Sequence, residues 1–338
     1  MGVNLTKIIP KQEISFDQLI NKKVAVDASN MLYQFIASIR QPDGTPLQDK
    51  KGNITSHLVG SFYRLTSLLK NNVKLVVCFD GKPPSLKIKT KEQREHRKQL
   101  AEKKLKQAKK KKDIKEMAKY AKQTSRLSFK MSDEAKDLIK ALGIPVIQAP
   151  SEADAQIAFM CERKHVDFTA SSDFDCLLFG APKLLTNLTL SQRKKLPSGA
   201  YIKITPELIE LKKVLKHLKI KQDQLIALAI LVGTDYNEGI KGIGPKTALR
   251  LVKQYKNFDT LFKKVKAEFN WKRIYAVYKS MPIMKNYKLK WKEPDKKMIK
   301  KILVKKHDFS EERIDSRLEQ LEKTKEIRSQ TGLTKWIK

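Results

Sequence analysis

"KKVAVDASN", residues 22–30, runs from Val24-Ala25-Val26 into Asp27 and then into residues that suit a helix. Three more stretches share the design. "VKLVVCFDGKPP" (73–84) ends its apolar run at Asp80, "GIPVIQAPSEADAQ" (143–156) leads to Glu152 and Asp154, and "VDFTASSDFD" (166–175) leads to Asp173 and Asp175. Helical periodicity fills the intervals, at 31–39, 58–69, 133–142 and 153–161. Strands alternating with helices predict an α/β fold, a mostly parallel central sheet flanked by helices. Ligands of such sheets bind beyond the carboxyl ends of the strands, and that is where all these acids fall.

A buried, unpaired carboxylate is costly, so such groups are usually paired or bound to a metal. Asp173 and Asp175 stand two positions apart, and in extended backbone that spacing turns both side chains to one side. With Asp27, Asp80, Glu152, Asp154 and Asp235 they supply seven carboxylates. Two-metal phosphodiester hydrolysis needs such a set, because cations about 3.5–4 Å apart clamp the attacking water and the leaving oxygen. Magnesium, a hard ion, takes oxygen ligands. Each acid also has a simpler explanation. Asp27 could cap a helix beginning near Ser29, Ser151-Glu152-Ala153-Asp154 fits a capping box, and Asp80 and Asp235 could merely form turns. Taken jointly, the acids at one edge of one sheet favour a site. None of the five histidines (His57, His96, His165, His217, His307) occupies a strand end, so a histidine base is unsupported.

The chain has 338 residues, with 71 Lys+Arg against 36 Asp+Glu and a formal net charge of +35, which predicts attraction to a polyanion, nucleic acid first. A lysine-rich thermophile surface would normally carry matching glutamate. Cys78, Cys161 and Cys176 are scattered, which argues against a zinc site and for a reducing compartment. No stretch approaches the length of a membrane span and no signal peptide opens the chain. The expectation is a soluble intracellular protein, in cytoplasm or nucleoid if archaeal and nuclear if eukaryotic, and monomeric when alone.

Residues 87–123 are helix-compatible and overwhelmingly basic, with a weak apolar stripe at Leu100, Leu105, Ile114, Met117 and Tyr120. They suit a helical arch that orders on nucleic acid. "QDQLIALAILVGTDYNEGIKGIGPKTALRLVKQY" (222–255) reads as a helix-hairpin-helix. Gly242 and Gly244 would let backbone amides approach a phosphate, and Ala248 and Leu251 would pack the second helix. The tail carries Gln330, Leu333, Trp336 and Ile337, a polar anchor followed by apolar positions at one-turn spacing.

Nearly end to end, these motifs resemble the flap endonuclease family of structure-specific 5′ nucleases in its archaeal form. The resemblance is carried by "VAVDASNMLYQF", "SFYRL", "CFDGKPPSLK", "QAPSEADAQ", "SSDFDCLLFGAP", "LVGTDYNEGIKGIGPKTAL" and "QTGLTKWIK". It implies a PIN-like 5′ nuclease fold: an N-terminal nuclease region over 1–98, the arch over 87–123, and an internal nuclease region over 116–258 with the hairpin near 225–255. A C-terminal helical region would follow over 259–329, then a sliding-clamp-binding peptide over 330–338. It further implies two Mg²⁺ ions, with Mn²⁺ able to substitute. Asp27, Asp80, Glu152 and Asp154 would hold the first, and Asp173, Asp175 and Asp235 the second. Lys87 and Arg94 would place the scissile phosphate and Tyr33 would stack on the neighbouring base. Arg40, Arg64, Glu152, Gly233, Asp235, Gly242, Gly244 and Lys246 would contact DNA, and a K⁺ would sit at the hairpin. Two departures stand out: Asp154 replaces the family's usual glutamate, and Ile337 replaces the second aromatic of the clamp peptide. The implied activity is 5′-flap cleavage, with 5′-3′ exonuclease activity, in Okazaki-fragment maturation and base excision repair. A 5′ exonuclease or bubble nuclease of the same superfamily and a catalytically silent nucleic-acid-binding protein are the alternatives.

Overall fold

Side chains along the two central strands alternate between two apolar layers. Val24, Val26, Leu75, Val77 and Phe79 enter one layer, and Ala25, Val76 and Cys78 the other. A strand buried on both faces must be apolar throughout, as these are. The computed structural model describes residues 3, 5–111, 113–189, 193–195 and 201–334, apart from the side chains at 88–91, 93, 94, 109, 193–195, 201, 203 and 325–334. Its strands are β1 (Gln12–Glu13), β2 (Lys23–Asp27), β3 (Lys74–Phe79), β4 (Val146–Gln148), β5 (Phe168–Ala170), β6 (Lys183–Thr186), β7 (Arg193–Lys195), β8 (Tyr201–Lys203) and β9 (Glu207–Glu210). Seven form one sheet in the order β1-β9-β6-β5-β2-β3-β4, and β7 and β8 make a separate hairpin.

The five strands from β6 to β4 run parallel, and β9 and β1 extend the β6 edge antiparallel. From β2 the chain builds outward through β3 and β4, then returns to the other side of β2 with β5 and β6. That reversal makes a topological switch point between β2 and β5, where Val26 pairs with Ala170.

Helices α1 (Ala28–Ser38), α2 (Ser56–Lys70), α3 (Ile88–Lys110), α4 (Ile114–Gln123), α5 (Phe129–Ala141), α6 (Ala153–Glu162) and α7 (Asp175–Leu178) are interleaved with these strands. After β9 come α8 (Leu211–Leu218), α9 (Gln222–Val232), α10 (Pro245–Gln254), α11 (Phe258–Lys264), α12 (Trp271–Ser280), α13 (Lys296–Lys300), which runs into a π turn, and α14 (Glu311–Thr334). The layer that receives Val24 contains α1, α2, α5, α13 and α14. The layer that receives Ala25 contains α6 to α12. No helix among the described residues is long and apolar enough to cross a membrane.

The basic segment forms two helices, α3 and α4, packed on each other. The expected stripe is only partly right. Leu100 and Ile114 are exposed, and the buried positions are Ala101, Ala108 and Ala121, because alanines let two lysine-covered helices approach closely. Gly44, in the α1–α2 connection, meets this arch. A Cβ there would lie 2.7 Å from the Ala118 Cα. Of the tail residues, the side chains of Gln330 and Leu333, and the whole of Trp336 and Ile337, lie outside the described residues.

α1 and α2 pack together at Gly60, where a Cβ would stand 2.2 Å from the buried Phe35 ring. Replacing a helical glycine by alanine ordinarily stabilises by about 1 kcal/mol. Here overpacking reverses the sign, so Gly60→Ala should lower unfolding free energy by about 1–3 kcal/mol in urea titration. A gain in stability would contradict this packing.

Candidate active site

Each carboxylate is placed by the end of a strand or helix, and several do structural work as well. Asp27 closes β2 and also caps α1, accepting the Asn30 backbone N–H at 3.2 Å. Asp80, just past β3, accepts the Ala153 backbone N–H at 2.8 Å, so the start of α6 is capped from a different strand. The capping box that offered a simpler explanation does not form: Ser151 donates its hydroxyl to the Lys82 carbonyl instead. Glu152 holds the N-cap position of α6 and Asp154 its first turn. Two helix N-termini, each with partial positive charge, therefore face the acids. The chain passes so close below Asp80 that a Cβ on Gly81 would meet the Ala149 carbonyl at 2.2 Å.

Asp173 and Asp175 converge for a different reason than alternation along a strand. β5 ends at Ala170, the chain bends through Ser172–Phe174, and Asp175 begins α7. Asp173 and Asp175 are therefore not aligned by extended backbone, as their spacing predicted; a bend and a short helix bring the pair together. Asp235 comes from the turn after α9, where Gly233 adopts φ +113° and Thr234 N–H bonds the Asn237 carbonyl at 2.9 Å. Thr234 Oγ also donates to Asn237 Oδ1 at 2.8 Å, and Asn237 Nδ2 donates to the Ile230 carbonyl at 2.8 Å. This buried turn network escaped the sequence reading, although a threonine and an asparagine three apart around Asp-Tyr are turn formers.

The acids act on one another. Burial first, then the charge of Asp80, pushes the Asp27 carboxyl well above its ordinary range. Burial, then Asp27 and Asp175, does the same to Asp154. Burial, then Asp235 and Asp173, raises Asp175 to about 7. Glu152 is raised by burial, against the opposing pull of Lys87. Lys87 is a cation in their midst, its Nζ 2.5 Å from Glu152 Oε2 and 3.5 Å from Asp235 Oδ2. Burial opposes its charge, but Glu152 and Asp235 outweigh that cost and hold the ammonium above its ordinary value. Cys176, which no sequence signal assigns to this site, donates its thiol to Asp154 Oδ1 at 2.8 Å.

Among the described residues, no three histidine, cysteine or acidic side chains stand close enough, as placed, to close around one metal ion. The set nonetheless fits hard divalent cations in chemistry and charge. All seven donors are carboxylates, and burial leaves several of them short of positive charge.

Other residues singled out in the sequence lie as follows. Tyr33 on α1 is 40% exposed, with the Lys98 ammonium 5.5 Å from its ring centre. Arg40 is engaged within the protein, donating to the carbonyls of Ile36 and Gly44 and to Ser125 Oγ, and so ties α1 to the return of the arch. Arg64 is half-buried on α2, and burial lowers its pKa. The Arg94 side chain lies outside the described residues. Gly242 has φ +81°, Gly244 precedes α10 as its N-cap, and Lys246 is exposed in the first turn. Ala248 is buried and Leu251 half-buried.

Residues 1–101 match the family model described as the XPG N-terminal domain, and residues 143–235 the XPG I-region. The chain is 48% identical to Flap endonuclease 1 of Hyperthermus butylicus and 46% identical to Flap endonuclease 1 of Pyrococcus furiosus, with 100% of each chain covered in both cases. Among solved structures, flap endonuclease-1 from Methanococcus jannaschii aligns with TM-score 0.76 and 43% identity, covering 96% of this chain and 98% of that one. The catalytic core of Rad2 in complex with DNA substrate gives TM-score 0.71 at 24% identity, covering 95% and 100%, a likeness of fold alone.

Because burial and like charge raise Asp154 on folding, its anion opposes the folded state in the absence of cations. A carboxyl so raised makes stability fall as pH climbs past the unfolded value, about 3.9. Asp154→Asn keeps the acceptor for Cys176 and removes the charge. In EDTA at neutral pH it should stabilise the protein by about 1 kcal/mol or more in urea titration. A less stable variant would contradict the mutual strain of the acids.

Proposed function

The chain belongs to the flap endonuclease family, and from that premise we propose that it is a structure-specific nuclease hydrolysing a phosphodiester of branched DNA near the base of a 5′ flap. The observation that carries this is the mutual influence of seven carboxylates at the carboxyl edge of the sheet, two of which, Glu152 and Asp235, pair with Lys87. Two Mg²⁺ ions, or Mn²⁺ in their place, held by Asp27, Asp80, Glu152 and Asp154 and by Asp173, Asp175 and Asp235, would supply positive charge to the reacting phosphodiester and acidify the attacking water.

The chain's own residues do the rest. Lys87, kept charged by its acidic neighbours, stands at the foot of α3 and brings a cation to the scissile phosphate. Arg94, one α-helical segment further on, serves the same phosphate. Tyr33 offers a half-exposed ring for the adjoining base. The lysine-rich arch attracts the flap, and Arg40 and Arg64 belong to the duplex-facing surface. Gly233, Gly242, Gly244 and Lys246 grip the duplex backbone without reading its sequence. A Cβ on Gly244 would touch nothing within 4 Å, so packing within the protein does not demand glycine there. A phosphate approaching the start of α10 would use that room. A K⁺ at this hairpin belongs to the same proposal. Among the described residues, the histidine contacts lie away from these acids. His57 and His307 face Glu134 and Asp49, and His165 faces Tyr287.

Cleavage by this route leaves a 5′-phosphate and a 3′-hydroxyl, a nick that a ligase can seal, in keeping with Okazaki-fragment maturation and base excision repair. Gln330, Leu333, Trp336 and Ile337 would dock on the replication sliding clamp, with Trp336 as the single aromatic anchor. A labelled 5′-flap duplex tests the reaction. Cutting should require Mg²⁺ and stop in EDTA, and binding should weaken steeply with salt. Asp173→Ala should abolish cleavage while leaving flap affinity within about threefold, since direct DNA contacts lie elsewhere. Undiminished cleavage by that variant, or cleavage in EDTA, would overturn the proposal.

A further inference from the structure

We infer that Asn30 is a positioning residue that fastens Asp27 to Asp173 and so fixes the spacing between the two cation sites. The inference rests on the function proposed above, which assigns those two acids to different ions.

Asn30 stands at the third position of α1, beside the switch point between β2 and β5. Its backbone N–H donates to Asp27 Oδ1 at 3.2 Å, and its side-chain Nδ2 donates to Asp173 Oδ2 at 3.1 Å. Its own Oδ1 accepts from the Ser172 backbone N–H at 3.0 Å and from Ser172 Oγ at 2.9 Å. The orientation of the amide follows from chemistry. A backbone N–H can only donate, so the atom facing Ser172 is oxygen and the atom facing Asp173 is nitrogen.

One residue thus touches both carboxylates, although Asp27 and Asp173 are far apart in sequence and come from neighbouring strands. Two like charges at adjacent strand ends repel, and a neutral donor between them holds them in place without adding charge. The bonds use Asp27 Oδ1 and Asp173 Oδ2, so the second oxygen of each acid is outside them. Helix energetics do not call for asparagine here. An acid or glutamine at this position would serve the helix better. An acid would set a third carboxylate between the two, and alanine or serine would not span the gap. Two-metal hydrolysis tolerates little error in ion spacing, and misplacement by about 1 Å can cost about 100-fold in rate.

The test uses the full-length protein, Mn²⁺ as the probe and a labelled 5′-flap duplex. Asn30→Leu, with the same branching and number of side-chain heavy atoms, removes all three side-chain bonds. Asn30→Ala, a better helix former, serves if the leucine variant does not fold. Mn²⁺ binding to the DNA-free protein should weaken about tenfold or lose one ion by calorimetry. The turnover number should fall about 10- to 100-fold, with KM for the flap changed less than about threefold. Ser172→Ala, which keeps the backbone anchor, should retain at least about one third of wild-type turnover. Wild-type Mn²⁺ stoichiometry and affinity in a folded Asn30 variant would overturn the inference, whether turnover is kept or falls in step with thermal stability. Asp173→Ala run in parallel separates the two claims. If it too binds Mn²⁺ and cleaves normally, the functional proposal fails. If it is inactive while the Asn30 variants behave as wild type, only the role of Asn30 fails.

Discussion

Carboxylates crowded into a partly buried space repel one another, and a chain that gathers seven of them must hold them against that repulsion. The fold does so with the means at hand. It closes the edge of a parallel sheet with acids, aims the N-termini of α1 and α6 at them, and inserts one ammonium, Lys87, between Glu152 and Asp235. Among the described residues, these provide less than the charge present. Asp27, Asp154 and Asp175 remain poor anions where they stand. A site built this way stores an unmet demand for positive charge, which sets it apart from a surface cluster of acids.

Topology makes the crowding possible. Because β3 and β4 lie on one side of β2 and β5 and β6 on the other, the segments leaving β2 and β5 diverge into different layers and open a crevice between them. Asp27 and Asp173 flank that crevice, and Asp80, Glu152 and Asp154 approach from the β3 side. Asp235 arrives from outside the sheet, on a turn locked by Thr234 and Asn237 and joined to α7 through the rings of Tyr236, Tyr278 and Phe179. Structural and functional roles coincide in single residues: Asp27 and Asp80 cap helices with the same carboxylates that the proposed chemistry would use.

Much of this was legible in the sequence, because each of the central strands carries its own local signal, an apolar run followed by an acid. β2, β3, β4 and β5 could be read in this way, and so could the helices packed over them. β1, β6 and β9 could not, since Gln12–Glu13, Lys183–Thr186 and Glu207–Glu210 stand outside those runs and exist through pairing with distant partners. The reason Asp173 and Asp175 converge was misjudged, because sequence spacing does not reveal that β5 stops at Ala170. Leu100 and Ile114 were expected in the seam of the arch, whereas the close contact of α3 and α4 selects alanine. Asn30, Cys176 and Asn237 were invisible as site residues, because their significance lies in partners that only the fold supplies.

The claim at the centre of the account is that acids distant in sequence form a common cage for a pair of ions. A crystal of the protein with flap DNA, soaked in Mn²⁺, tests it most directly through anomalous scattering. The account predicts two peaks about 4 Å apart among Asp27, Asp80, Glu152, Asp154, Asp173, Asp175 and Asp235. Peaks elsewhere on the protein, or none among these side chains, would contradict it.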